Sequence, residues 1–390
     1  MQFRLTYLPP LDGLRGLAVF AVMLYHLYLP FGGRLIFEGG FLGVDIFFVL
    51  SGFLITSLLM QEWNTTGAID MRRFYIRRAL RLLPAVLFLL ISLAIGLAIA
   101  ALVSDRAHNE ARAALKNIPS ALFYFANWVE ALELWDMGLI RMTWSLSIEE
   151  QFYLIWPFTL RFLLGRGIGP KVLLGLTLGF AALSAIWRIG LDLSGATWER
   201  IYFGSDTRAD AILIGCSLGI IATSGWLPDS AKAREWIRRL AILGAIGIAG
   251  SMTVGIGSLY FYGGLTAVAF ATAAIIAHFI LSPESKLASL LSARPLIWLG
   301  KRSYGLYLWH AMLFLLTRTY ISPAVFGEEN VDEYGWNVIS RFAAFGVSLL
   351  VSMLSYDFIE QPFLRRKSKL HRETTAVPSM LNTPPVVAAR

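Results

Sequence analysis

Ten stretches of the chain are each long and apolar enough to cross a lipid bilayer, and that repetition constrains the fold before anything else does. They run over about 11–29, 41–60, 82–103, 147–165, 171–190, 209–224, 238–256, 259–281, 303–321 and 338–360. A helix needs about 20 mainly apolar residues to span the hydrocarbon core. No water is available there, so every backbone polar group must be satisfied within the structure. The expected fold is therefore all-α, a polytopic membrane protein with about ten transmembrane helices. The composition agrees: 56% of the 390 residues are hydrophobic and 15% are charged, where a soluble domain carries about a quarter. Ile118 to Trp128 is short and interrupted by Asn127, and reads as a re-entrant or interfacial helix.

An even number of spans puts both termini on one side, and the loop charges say which. One set of loops, counted with the termini, holds about 23 Lys/Arg and the other about 9, and basic loops face the cytoplasm. Both termini are expected to be cytoplasmic, with the acidic run Glu328, Glu329, Asp332, Glu333 outside. The net charge of +8 thus reflects topology and not a nucleic-acid partner. Residues 1–365 read as the membrane domain, and 366–390 as a Thr/Pro/Ala-rich cytoplasmic tail expected to be disordered. Cys216 is the single cysteine, so no internal disulfide is possible. The first apolar segment has no small-residue cleavage site and is expected to be a retained span. No HExxH, no Cys/His cluster with metal spacing and no phosphate-cradling glycine loop is present. No metal is expected.

The polar residues inside these spans carry the functional argument, because ionisable groups at membrane depth cost a few kcal/mol. The first span contains Arg15 and His26. Eleven residues at about 100° each return to nearly the same helix face, about 16 Å further along the axis. Arg15 is thereby placed near the cytoplasmic surface and His26 near the outer one. Asp45 opens the second span at the level of His26, where a carboxylate can fix a histidine tautomer; as an alternative it caps the helix dipole. The fourth span opens TWSLSIEEQFYLIWP, with Trp144, a Ser145 suited to capping, and Glu149 and Glu150 about 100° apart. Glu149 is expected to face inward and Glu150 to finish the helix end. Arg188, Arg208 and Asp210 flank the outer mouth as candidate partners for these acids. Before the third span, Arg73, Arg77 and Arg81 recur every fourth residue, with Arg78 adjacent. Such a cluster suits phosphate, or simply anionic lipid headgroups. His310 in the ninth span reads as structural support, Asp357 and Glu360 as a balance to the basic stripe, and His278 has no evident partner.

Taken together, Arg15-x10-His26, GGFLGVDIFFVLSGFLI, FYIRRALRLLP, TWSLSIEEQFYLIWP, SYGLYLWH and EQPF resemble acyltransferase family 3 of the membrane O-acyltransferases. The motifs fall in the usual order up to about Leu364. The chain resembles the form without an SGNH hydrolase-like domain. The resemblance implies transfer of an acyl group, most often acetyl, from cytoplasmic acyl-CoA to a hydroxyl of a cell-surface or lipid-linked glycan, at the bacterial inner membrane. It assigns catalytic work to the Arg-x10-His pair and donor contact to the arginine motif. On this reading Arg15, Arg77, Arg78 and Arg81 bind the donor phosphates. His26, oriented by Asp45 or Glu149, is a general base; alternatively His26 or another residue carries the acyl group transiently. Ser145, Trp144, Arg208 and His310 support the site. The rival is a transporter or flippase using the same residues as a substrate or proton path.

Overall fold

A computed structural model describes residues 6–31, 34–102, 114–255 and 257–365. The expected tail at 366–390 lies outside them. The described residues are overwhelmingly helical. Among the described residues five helices are long and apolar enough to cross a membrane: Glu38–Thr66, Met71–Ile99, Pro170–Leu193, Tyr260–Leu281 and Val338–Arg365. The other expected stretches are helical as well, but are shorter or carry more charge.

In chain order, α1 (Pro9–His26) opens on two prolines, which the first helical turn tolerates because its N–H groups have no intrahelical partner. A small antiparallel pair, β1 (Pro30–Phe31) and β2 (Arg34–Leu35), leads to α2 (Gly43–Thr66). The 31-residue α3 (Met71–Ala101) follows Gly67, which ends α2 at φ 71°. Two short helices, α4 (Ile118–Leu122) and α5 (Ala126–Ala131), occupy the place of the expected interfacial segment. Then come α6 (Thr143–Gly165), α7 (Pro170–Leu193), the short α8 (Trp198–Phe203), α9 (Ser205–Thr223) and α10 (Ala231–Ser251). After a π-helical turn at Tyr260–Gly264 the chain forms α11 (Leu265–Leu281), α12 (Lys286–Leu291), α13 (Arg294–Lys301) and α14 (Ser303–Leu316). A second π turn joins α14 to α15 (Ser322–Phe326), and α16 (Val338–Leu354) runs into a third at Ser355–Glu360.

Two boundaries differ from the sequence expectation. The third helix starts at Met71, not near residue 82, so the arginine stripe belongs to the helix itself. Nothing in RRFYIRRALRLL breaks a helix, and charge alone does not end one. The fourth starts at Thr143, which puts Ser145 inside α6; no side chain caps that helix, and the Ser145 hydroxyl is engaged elsewhere.

The centre of the bundle is the crossing of α2 and α9. A Cβ on Gly52 would lie 2.0 Å from the Ile212 carbonyl oxygen, and one on Gly215 would lie 2.1 Å from that of Val49. Small residues permit such backbone approach, which drives helix association where lipid is as apolar as leucine. Gly52→Ala is therefore expected to destabilise the fold by about 1–3 kcal/mol through overpacking. Thermal unfolding in detergent would measure this, and an unchanged midpoint would show that the crossing can open.

A buried polar lock ties α7, α9 and α11 together. Arg188 donates to Asp210 Oδ1 and Oδ2, each at 3.0 Å, to the Thr207 and Phe261 carbonyls at 2.7 and 3.2 Å, and to Thr266 Oγ1 at 2.6 Å. All five guanidinium N–H groups are thus used. Arg208 pairs with Asp45 at 2.9 Å. The expectation that Arg188, Arg208 and Asp210 pair with Glu149 or Glu150 is corrected: their carboxylate partners lie among themselves and on α2.

Candidate active site

Two adjoining cavities run through the bundle between α1, α2, α6 and α14. The first, about 370 Å³, is lined by His26, Tyr25 and Tyr28 with Trp144, Tyr202 and Arg318. The second, about 270 Å³, is lined by Arg15, Arg78, Arg81, Ser51, Glu149 and Ser145. Arg15 and His26, on one face of α1, thus line different cavities, which share Val44 and Tyr307 in their walls.

Behind the histidine cavity, His26 meets a partner that the sequence did not announce. His310, fully buried on α14, places Nε2 3.4 Å from Nδ1 of His26, with ring centroids 5.1 Å apart. Each ring also meets the carbonyl four residues back on its own helix, His26 Nδ1 to Val22 O at 2.9 Å and His310 Nδ1 to Leu306 O at 2.8 Å. A carbonyl only accepts, so both Nδ1 atoms carry the proton. His310 Nε2 then offers its lone pair to His26 Nδ1–H, and His26 Nε2 keeps a free lone pair. That is the tautomer a general base needs, held by a neutral partner that can accept from the imidazolium once formed.

Asp45 does not hold His26. It is buried and bonded to Arg208, whose guanidinium lies 4.6 Å from the Tyr202 ring centroid and 5.9 Å from that of Trp144. Depth in the sequence put Asp45 and His26 level; the packing turns the carboxylate toward α9. Glu149 does not hold His26 either. Its Oε1 accepts from Ser51 Oγ at 2.7 Å, and it lines the arginine cavity. Glu150 is not a helix-end acid: it accepts from Arg78 Nη2 at 2.6 Å and Nε at 3.1 Å.

In the arginine cavity, Arg78 is thereby neutralised, and its guanidinium sits 3.4 Å from the Tyr153 ring centroid. Arg15 reaches Asp12 at 3.5 Å, a long contact. Arg81 has no salt-bridge partner among the described residues and is the uncommitted cation of the set. Arg77 is absent from the lining and faces Glu62 at 3.9 Å. Three of the four expected donor arginines therefore share a cavity and the fourth points away. Asp357 pairs with Arg302 at 3.4 Å. Among the described residues no group of His, Cys, Asp and Glu could hold a metal ion.

The site also holds residues that the sequence reading passed over. Tyr307 bonds Ser145 at 2.6 Å, and Ser51 holds Glu149. Tyr307 stands three residues before His310 in SYGLYLWH, so one helix face presents both, and that spacing was the available signal.

A family model described as an acyltransferase domain matches residues 9–357. The peptidoglycan O-acetyltransferase OatA of Listeria monocytogenes serovar 1/2a is 36% identical over 93% of this chain and 56% of its own length. The O-acetyltransferase OatA of Staphylococcus aureus strain NCTC 8325 is 36% identical over 93% of this chain and 58% of its own. The chain spans less than two thirds of the length of these relatives. No solved structure matches it. The match runs through the helices that carry Arg15, His26, Arg78, Glu149 and His310, and the chain belongs to the acyltransferase family 3 that its motifs resemble.

Proposed function

We propose that the protein is an integral membrane O-acyltransferase moving an acyl group, acetyl in the first instance, from cytoplasmic acyl-CoA to a hydroxyl of a cell-surface or lipid-linked glycan. The observation that carries this reading is a pair of cavities that share Val44 and Tyr307, one lined by Arg15, Arg78 and Arg81 and the other by His26, whose Nε2 keeps a free lone pair. The loop charges support ten spans with both termini in the cytoplasm of a bacterial inner-membrane protein, residues 1–365 forming the membrane domain and 366–390 a cytoplasmic tail. The arginine cavity then faces the compartment that holds CoA. The names of the relatives, O-acetyltransferases and one of them for peptidoglycan, support a glycan acceptor.

Arg15 and Arg81, supported by Arg78, receive donor phosphates, for which a guanidinium fork is suited. The pantetheine arm follows α2 past Ser51 and Phe47. His26 Nε2 removes the acceptor hydroxyl's proton as oxygen attacks the thioester carbon, and returns it to the departing thiolate. His310 holds the His26 ring. Asp45, with Arg208, supports the wall behind Trp144. Glu149, held by Ser51, shapes the arginine cavity and balances its charge.

Membrane vesicles given acetyl-CoA labelled in the acetyl group test this. Label is expected to appear on a glycan with the mass increase of one acetyl group and stoichiometric CoA release, and only when CoA reaches the face bearing the arginine cavity. A glycan translocated without mass change and without CoA consumption would return the transporter reading.

A further inference from the structure

Of the residues lining the two cavities, Val44 and Tyr307 border both. Tyr307 is the polar one. It lies on a stripe of α14 that runs from Tyr304 in the arginine cavity through Tyr307 to Ala311 and Phe314 in the histidine cavity. These steps of three and four residues trace one helix face. The Tyr307 hydroxyl is buried, 2.6 Å from Ser145 Oγ and 3.4 Å from the Met142 carbonyl, and its ring centroid is 5.6 Å from that of His310.

If the donor enters from the arginine side and the hydroxyl is activated at His26, the acyl carbon has to sit at the boundary between them. The charge that develops during attack falls on the carbonyl oxygen there. In a water-poor site such charge requires preorganised donors. Resting on the acyl-transfer reading above, we propose that Tyr307 is a catalytic residue whose O–H donates to the thioester carbonyl oxygen, with the Ser145 hydroxyl as the second donor. In the resting protein the Ser145 O–H donates to Tyr307, whose own O–H is directed at the Met142 carbonyl. A carbonyl oxygen arriving at the boundary exchanges those bonds for one from each.

The step balances without further reactants. The acceptor oxygen bonds to the acyl carbon as His26 Nε2 takes its proton, and the carbonyl π pair moves onto oxygen against the two hydroxyls. The pair then returns, the C–S bond breaks, and the thiolate takes the proton from His26. Tyr307 and Ser145 exchange hydrogen bonds but not protons.

Tyr307→Phe keeps the ring and removes only the donor. Its kcat for labelled acetyl-CoA is expected to fall about 10²–10³-fold, the usual loss for one such donor. CoA alone is expected to bind within about threefold of wild type, since nothing made in the ground state is lost. Ser145→Ala removes the second donor with Tyr307 kept in place, and its kcat is expected to fall within the same range. Wild-type turnover in Tyr307→Phe, beside an inactive His26→Ala, would overturn this inference and leave the acyl-transfer reading standing. Loss of CoA binding in Tyr307→Phe would show the pair to be a strut and overturn it too. A wild-type protein that releases no CoA from acetyl-CoA would fail at the earlier step and sink both.

Discussion

His26→Ala is expected to lower acetyl transfer by about 10²–10⁴-fold, the range that a positioned general base contributes. Binding of CoA is expected to persist, because the arginines line the other cavity. The tautomer sets this expectation. The carbonyl of Val22, 2.9 Å from His26 Nδ1, leaves the proton on that nitrogen and the lone pair on Nε2. His310 then acts through His26, so His310→Ala is expected to lower kcat by a smaller factor, about 10–100-fold, with the KM for acetyl-CoA unmoved. Rates in vesicles with labelled donor and CoA titration of the same preparations give both numbers. Full activity in His26→Ala would remove the base from the mechanism. Acid quenching of the labelled reaction bears on the remaining choice: protein-bound acetyl that chases to glycan would make His26 or another residue an acyl carrier, with ping-pong kinetics.

Arg188→Ala is expected to destabilise the fold by about 3–5 kcal/mol, because it strands the buried Asp210 carboxylate. Both side chains are almost wholly inaccessible, and the guanidinium joins α7 to α9, to Thr266 on α11 and to the Phe261 carbonyl in the π turn before it. An unpartnered charge at that depth has neither water nor counter-ion. The double variant Arg188→Met with Asp210→Leu removes both charges and is expected to recover much of the loss, as apolar replacements of buried ion pairs do. Midpoints of unfolding in detergent measure this. A double variant as unstable as Arg188→Ala would mean that the loss comes from packing.

The helical class and the positions of most helices were legible in the sequence because apolar length and periodicity leave few alternatives in a bilayer. The placement of Arg15 and His26 on one face of α1 followed from helix geometry alone. What the sequence could not supply was azimuth. Topology levels Asp45 with His26, but whether a side chain turns toward α1 or α9 depends on how helices far apart in sequence pack. Asp45 turns to Arg208, 163 residues away in the chain. The same limit hid the contact between His310 and His26, which stand 284 residues apart and meet only by the docking of α14 against α1. Among the arginines, a four-residue repeat predicted one stripe. The cavity uses Arg78 and Arg81, three apart, and Arg77 turns to Glu62, because the face of α3 that meets α6 is set by the Arg78–Glu150 bond.

The glycine crossing of α2 and α9 also has a mechanical meaning. Backbones that close at Gly52 and Gly215 cannot slide without carbonyl oxygens colliding. The α2 wall of the path, which presents Val44, Phe47 and Ser51, is thereby an anvil. Any widening of the cavity has to come from the opposite jaw, α3 and α6, where side chains such as Arg78, Tyr153 and Glu150 make the joint. Side-chain joints of that kind can be remade in a new register, whereas apposed backbones cannot.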